Sequence, residues 1–146
     1  MARPRGFDET AVIRSAAKLF AGLAYDGVSI DELVSELGVH RNSLYKTFGS
    51  KRGLYLTALR WSLEHDVGPL ITAFGESADP TPQAQLANGL DLLLLAAAEQ
   101  APMDTEVADE VNRALIAMDE AIGERATATV LGLRLRARFA AARESE

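Results

Sequence analysis

Apolar residues recur at intervals of three and four over most of the chain, which is the spacing of an amphipathic α-helix. From about Asp8 to Ala24, the apolar positions are Val12, Ala16, Leu19, Phe20 and Leu23. No stretch alternates apolar and polar residues over a length that would predict a β-strand. The pattern therefore predicts an all-α protein whose first helix begins near Asp8.

Capping residues divide the next part of the chain into short helices. Gly27 ends the first helix, and the segment from Ser29 to Glu32 forms a capping box that begins a second helix. Gly38 ends that helix, and a third runs from about Arg41 to Phe48. Two short helices joined by a tight turn beneath a longer helix predict a helix-turn-helix, whose second short helix enters the major groove of DNA.

Longer helices are predicted after this motif. Ser50 caps a long fourth helix that runs to about Val67 or continues past Gly68 to Phe74. Pro69 is expected to kink or end this helix, because proline cannot donate to the helical ladder. After a loop, a fifth helix is predicted from about Pro82 to Gln100. The predicted domains are a helix-turn-helix domain with a basic arm (residues 1–50) and a helical regulatory and dimerisation domain (residues 51–146).

The C-terminal segment from Thr105 to Arg143 is nearly continuous helix with one interruption at Gly123. Its apolar stripes are wider than one short domain can cover, and large exposed apolar faces usually meet a partner. We therefore predict a homodimer in which the two C-terminal helices of each copy form a four-helix interface.

The third helix carries polar side chains suited to DNA, while Leu44 and Phe48 face the core. The outward-facing residues are His40, Arg41, Asn42, Ser43, Tyr45, Lys46 and Thr47. Arginine bonds guanine through two donors, asparagine can bond adenine, and hydroxyl and lysine groups hold phosphates. Lys51 and Arg52 lie in the first turn of the fourth helix, where a cation is unfavourable unless an anion lies opposite.

Charge is distributed unevenly along the sequence. The whole chain has a net charge of -6, but residues 1–62 contain nine Lys and Arg against six Asp and Glu. The remaining residues contain six basic and fifteen acidic side chains. A phosphate-facing domain on an acidic body would show this asymmetry, and ordinary scatter of charge is the alternative.

Five short segments resemble the DNA-binding domain of the TetR family of bacterial regulators, over about residues 7–59. They are Ala16 to Phe20, Gly27 to Ile30, Leu37 to Val39, Ser43 to Phe48 and Ser50 to Leu54. The phosphate contacts that the resemblance implies are Tyr45 and Lys51, with help from Ser29 and Thr47. The base-facing residues that it implies are Arg41, Asn42 and Ser43, on a pseudo-palindromic operator.

Two features depart from the family pattern. Family members usually have a small hydroxyl residue as the cap of the recognition helix, whereas this chain has His40, whose imidazole caps less well and could instead contact a phosphate or a base. The C-terminal domain of the family is also usually longer. The shorter segment here is therefore expected to supply both the dimer surface and any ligand cavity.

Several classes of function lack support in the sequence. There is no cysteine, which excludes disulfides, thiolate-bound zinc and cysteine nucleophiles. His65 stands between two acidic residues, but adjacent residues point apart on a helix, so no metal site is predicted. No nucleophile-base pair or glycine-rich phosphate loop indicates an enzyme or a cofactor. The apolar run from Leu92 to Ala98 is too short to span a membrane and no secretory leader is recognised, so a cytoplasmic protein is expected.

A repressor released by a small hydrophobic ligand is the first functional hypothesis. The predicted ligand-lining residues are Trp61, Phe74, Leu90, Leu94 and Met118. The alternative is a DNA-binding regulator without a small-molecule ligand, controlled by a protein partner or by its abundance. A helical interaction protein with a decayed DNA-binding domain is disfavoured because the sequence contains Ser29, Arg41, Tyr45 and Lys51. The basic segment from Ala2 to Arg5 is either a minor-groove arm or a tail.

Overall fold

The computed structural model describes residues 7–145, and this part of the chain is helical and contains no β-strand. The all-α prediction is therefore confirmed. The α-helices are α1 (Glu9–Leu23), α2 (Ile30–Leu37), α3 (Arg41–Phe48), α4 (Lys51–Ser62), α5 (Gly68–Glu76), α6 (Thr81–Ala84), α7 (Asp91–Leu95), α8 (Thr105–Ile122) and α9 (Glu124–Glu144). Single π-helical turns occupy Leu63–Val67 and Ala96–Gln100, and a 3₁₀ turn occupies Asn88–Leu90. None of the described helices is both long and apolar enough to cross a bilayer.

The first helices begin and end at the predicted capping residues. The Asp8 carboxylate accepts a hydrogen bond from the Ala11 amide at the start of α1. At the start of α2, the Ser29 hydroxyl accepts from the Glu32 amide at 3.1 Å, and the Glu32 carboxylate accepts from the Ser29 amide at 2.7 Å. Gly38 ends α2 at a φ of 65°, a conformation that a residue without a Cβ adopts readily.

The apolar stripe of α1 packs against α4 and α7. Val12, Ala16 and Phe20 are buried as predicted. Leu23 is 53% exposed, so its assignment to the inward stripe is wrong. It lies in the last turn of α1, immediately before Ala24 turns the chain away from the helix at a φ of 65°.

The fourth helix does not end at Pro69. α4 continues directly into a π-helical turn and then into α5, which contains the proline in its first turn. In the π-helical turn the Gly68 amide bonds to the Leu63 carbonyl, five residues earlier. The wider turn lies just before the proline, where the pyrrolidine ring would otherwise collide with the preceding carbonyl of a regular α-helix.

The prediction of one continuous fifth helix from Pro82 to Gln100 is wrong. The segment instead contains α6, the 3₁₀ turn, α7 and the second π-helical turn. A Cβ at Gly89 would lie 3.2 Å from side-chain carbons of Asp66 and Leu70. The backbone of the 3₁₀ turn therefore approaches the preceding long helix closely, which a regular helix with a larger residue at this position could not do.

α8 packs its apolar stripe within its own chain. Its cap is Asp104, whose carboxylate accepts from two amides of the first turn. Val107, Val111 and Met118 are buried, and the helix contacts α5, α9 and the second π-helical turn. Gly123, with a φ of 89°, ends α8 and confirms the predicted interruption.

α9 keeps much of its apolar surface exposed. Its buried residues are Thr127 and Val130. Leu135 and Phe139, one helical turn apart, are 55% and 63% exposed. The C-terminal helix therefore leaves an apolar face uncovered in the single chain.

Candidate nucleic-acid interface

α3 presents the predicted polar side chains at the surface. Leu44 is buried and anchors the helix on the core, while Phe48 is half-buried and stacks on Phe7 with 6.5 Å between ring centroids. The exposed residues are His40, Arg41, Asn42, Tyr45 and Lys46, and the half-buried residues are Ser43 and Thr47. The apolar side of α3 thus fixes the helix to the core. Its exposed side carries cationic, amide, phenol and imidazole groups.

His40 does not cap α3 through its side chain. Its backbone is extended (φ −73°, ψ 143°), as an N-cap residue requires, but the imidazole makes no hydrogen bond to the first turn. In α1, α2 and α4 the corresponding bonds come from Asp8, Ser29 and Ser50. The first amides of α3 therefore lack the side-chain acceptor that a hydroxyl residue would supply, and a phosphate oxygen could take that position.

The guanidinium of Arg41 is paired within the protein. Its Nη2 atom donates to the carboxylate of Asp31, in the first turn of α2. Both side chains are at least half exposed, and ion pairs between exposed side chains typically contribute about 0.2 to 1 kcal/mol. Arg41 therefore has to exchange Asp31 for DNA when it contacts a base or a phosphate, and the cost of that exchange is small.

Aromatic side chains position Lys51. The Ser50 hydroxyl accepts from the Gly53 amide at 2.9 Å and begins α4. The Lys51 ammonium then lies 4.2 Å from the ring centroid of Tyr25, which packs edge-on against Tyr55 at 5.0 Å. Burial raises the pKa of both tyrosine hydroxyls, so both rings are neutral partners near pH 7. The ammonium is thus held three residues after the end of α3.

Arg52 has carboxylate partners instead of a phosphate. Its Nε donates to Asp104 at 2.7 Å, and its Nη2 donates to Asp104 at 2.9 Å and to Glu106 at 3.0 Å. These bonds raise the pKa of the guanidinium, and the bond from Arg52 lowers the pKa of Asp104. Arg60 extends the network to Glu110 at 2.9 Å. The network joins α4 to the start of α8, and local sequence patterns missed it because Asp104 lies 52 residues after Arg52.

Two further predicted phosphate contacts lie at the start of α2 and in α3 itself. The Ser29 hydroxyl accepts the capping bond of α2 and keeps its own proton for a donor role. Thr47 is half-buried in the last turn of α3. The predicted arm from Ala2 to Arg5 lies outside the described residues.

The predicted ligand-lining residues occupy different environments. Phe74, Leu90 and Met118 are fully buried in the hydrophobic core. Trp61 and Leu94 are half-buried, and Trp61 lines an open groove. Of the residues predicted from apolar spacing to line a ligand cavity, three therefore lie in the core and Trp61 lies in the groove.

Among residues 7–145, no group of three or more His, Asp or Glu side chains is arranged to hold a metal ion.

The N-terminal domain is similar in sequence to parts of other bacterial regulatory proteins. The family model described as "Bacterial regulatory proteins, tetR family" matches residues 12–58. The chain is 42% identical over 64 residues to the uncharacterized HTH-type transcriptional regulator YezE of Bacillus subtilis (strain 168), covering 44% of this chain and 33% of that protein. It is 38% identical over 68 residues to the HTH-type transcriptional repressor BdcR of Escherichia coli (strain K12), covering 47% and 34%. The match thus spans about a third of the length of these curated relatives.

Comparison of folds extends over more of the chain. The TetR family transcriptional regulator PfmR from Thermus thermophilus aligns with a TM-score of 0.54 at 19% identity, over 90% of this chain and 79% of that chain. A TetR-family regulator from Mesorhizobium loti aligns with a TM-score of 0.52 at 19% identity, over 79% and 66%. At this identity the likeness shows the shared all-α fold with its N-terminal helix-turn-helix. Residues 12–58 of this chain therefore match the TetR family of bacterial regulatory proteins, and the likeness over the longer part of the chain is one of fold.

Proposed function

We propose that the chain is a sequence-specific transcription regulator that binds a pseudo-palindromic operator as a homodimer. The observation that carries the proposal is the surface of α3, where a helix anchored by Leu44 exposes Arg41, Asn42 and Lys46 close in sequence to Lys51. Side chains of these types bind phosphates and base edges. In a two-fold dimer, two such helices would enter successive major grooves about 34 to 36 Å apart. The protein acts in the cytoplasm on bacterial DNA and catalyses no reaction.

Repression that is released by a small molecule is the form of control that we favour. The relative BdcR is named a repressor, which supports this direction of control. α4 carries Lys51 at its start and Trp61 near its end, so a ligand that prefers one tilt of α4 would change the separation of the two α3 helices. Control by a protein partner or by abundance is the alternative, and it is supported by the complete burial of Phe74, Leu90 and Met118.

Phosphate contacts and base contacts are expected to differ in their response to mutation. Lys51→Ala should weaken binding to specific and random DNA alike and make the salt dependence shallower by about one unit, because one phosphate contact is lost. Arg41→Ala should cost about 1 to 3 kcal/mol on the specific site and relax discrimination at one base pair per half-site. Fluorescence titrations at several salt concentrations, on a site selected from a random DNA library and on random DNA, measure both effects.

The outcome separates the two roles. Equal losses on specific and random DNA for Arg41→Ala would remove it as a base reader. Unchanged affinity in both variants would contradict the assignment of α3 as the recognition helix. Tyr45→Phe tests the neighbouring phosphate contact and is expected to weaken binding on both kinds of DNA, by about 1 kcal/mol for one hydrogen bond.

The ion pair between Asp31 and Arg41 is expected to reduce binding to random DNA. Asp31→Asn should raise affinity for random DNA up to about fivefold, because Arg41 no longer has to leave a carboxylate, whose contribution is at most about 1 kcal/mol. Glu36→Gln is the matched control, since it removes the same charge from the same helix and Glu36 has no ion pair among the described residues. Equal gains from both variants, in titrations on random DNA, would mean that the change in charge alone explains the effect.

A further inference from the structure

An open groove of about 710 Å³ lies where α9 approaches α1. Its lining comes from α1, the end of α4 with the first π-helical turn, the 3₁₀ turn with α7, and the last turns of α9. Arg138 of α9 donates to the carbonyl oxygen of Gly22 at 3.0 Å and holds the two helices together beside the groove. The volume falls within the range of small-molecule sites, roughly 300 to 1,000 Å³.

The groove carries an excess of positive charge that is open to a ligand. Its cationic residues are Arg14, Lys18 and Arg138. Within residues 7–145, neither Arg14 nor Lys18 forms an ion pair with a carboxylate. The two carboxylates of the groove already have partners, because Asp66 accepts from a serine hydroxyl at 3.0 Å and Asp91 is bound by an arginine of α9 at 2.7 Å. An anion in the groove would therefore find donors without displacing an existing ion pair.

Trp61 supplies the groove with an aromatic surface. Its indole stacks on His65, with 4.7 Å between ring centroids and 13° between planes. The guanidinium carbon of Arg14 lies 5.8 Å from the indole centroid. Ala17 and Leu92 provide buried apolar lining. An aromatic group could thus pack beside the indole, against Ala17 and Leu92, while a negative group attached to it reaches Arg14.

We propose that this groove binds a small organic anion with an aromatic body, of the carboxylate or sulfonate type. The proposal rests on the proposed function, because it names the site and the class of ligand through which that function is controlled. Of the residues predicted to line a pocket in the C-terminal domain, this groove includes Trp61 alone. A bound anion would contact α1 through Arg14 and Lys18 and α9 through Arg138, so its occupancy would favour one arrangement of the N-terminal domain relative to α9.

Trp61 is the single tryptophan of the sequence, so its fluorescence reports on this groove. The test titrates the free full chain with anilinonaphthalene sulfonate, an anionic aromatic probe, and with N-phenylnaphthylamine, its neutral counterpart. We expect saturable quenching of Trp61 with energy transfer to the anionic probe, and binding of the neutral probe weaker by about tenfold or more, because it lacks the charge-assisted contacts.

Two double variants identify the site. Arg14→Gln with Lys18→Gln should raise the dissociation constant of the anionic probe by about tenfold or more and abolish the preference over the neutral probe. Arg125→Gln with Arg136→Gln removes the same charge from α9 at residues that do not line the groove, and should leave both constants unchanged. Equal weakening by the two double variants, equal affinity for the two probes, or no saturable quenching would overturn the proposal.

The probe titration uses no DNA, so its outcome is independent of operator binding. Titration of the wild-type chain on a selected DNA site is run separately. Failure of that titration would contradict the proposed function, whereas failure of the probe titration alone would contradict only the anion site.

Discussion

Replacing Leu135 and Phe139 together with Asp is expected to convert the proposed homodimer into monomers and to lower affinity for the proposed operator by about 10² to 10⁴-fold. The two side chains are 55% and 63% exposed and lie one turn apart on α9, whose buried residues are Thr127 and Val130. A monomer binds one half-site and loses the effective concentration that links the second half-site to the first. Light scattering measures the mass of the particle, and a DNA titration measures the loss of affinity.

The same experiment needs a control for the introduction of charge. Met103→Asp is suitable, because Met103 is 73% exposed and precedes α8, so the change introduces a carboxylate without altering α9. This variant should remain dimeric, and both variants should keep the helical circular dichroism of the wild type, since the replaced side chains contribute little to the core. A double variant that stays dimeric would contradict the assignment of α9 to the interface.

The N-terminal domain was predictable because its helices are defined by interactions within three or four residues. The sequence shows three such signals, the capping box at Ser29, the glycine at position 38 and the cap residue Ser50. The structure places a helix end at each of them, with Gly38 in the left-handed conformation. The outward set on α3 followed from the position of Leu44 in the helical period. The carboxylate partner of Arg52 could not be predicted from local sequence patterns, because Asp104 lies 52 residues further along the chain.

The C-terminal part was less predictable because its geometry depends on approaches between distant segments. Gly89 interrupts the predicted fifth helix at the point where its backbone meets the preceding long helix. Pro69 remains inside a helix because one π-helical turn precedes it. Helical spacing also cannot distinguish a core position from a cavity wall, and Phe74 and Met118, both predicted to line a pocket, are fully buried.

The Arg134→Met substitution, which removes the positive charge of this side chain, is expected to lower the free energy of unfolding by about 3 kcal/mol. Arg134 Nε and Nη2 donate to the two carboxylate oxygens of Asp91 at 2.7 and 3.1 Å, and Nη1 donates to the carbonyl oxygen of Gln85 at 2.5 Å. The side chains are only 13% and 14% exposed, so Arg134→Met would leave the Asp91 carboxylate nearly buried without its cation. Urea unfolding followed by circular dichroism measures the change in free energy of unfolding.

Two companion variants show whether the unpaired charge is the cause. Arg134→Met combined with Asp91→Leu removes both charges and should recover more than half of the lost stability, because paired apolar replacements of a buried ion pair are often neutral. Arg136→Met, at an exposed position of the same helix, should change stability by less than about 0.5 kcal/mol. A combined variant as unstable as the sum of its single variants would contradict this explanation. Recovery of stability in the combined variant would indicate that the ion pair can be replaced by an apolar contact between α9 and α7, and that the unpaired carboxylate is what destabilises the single variant.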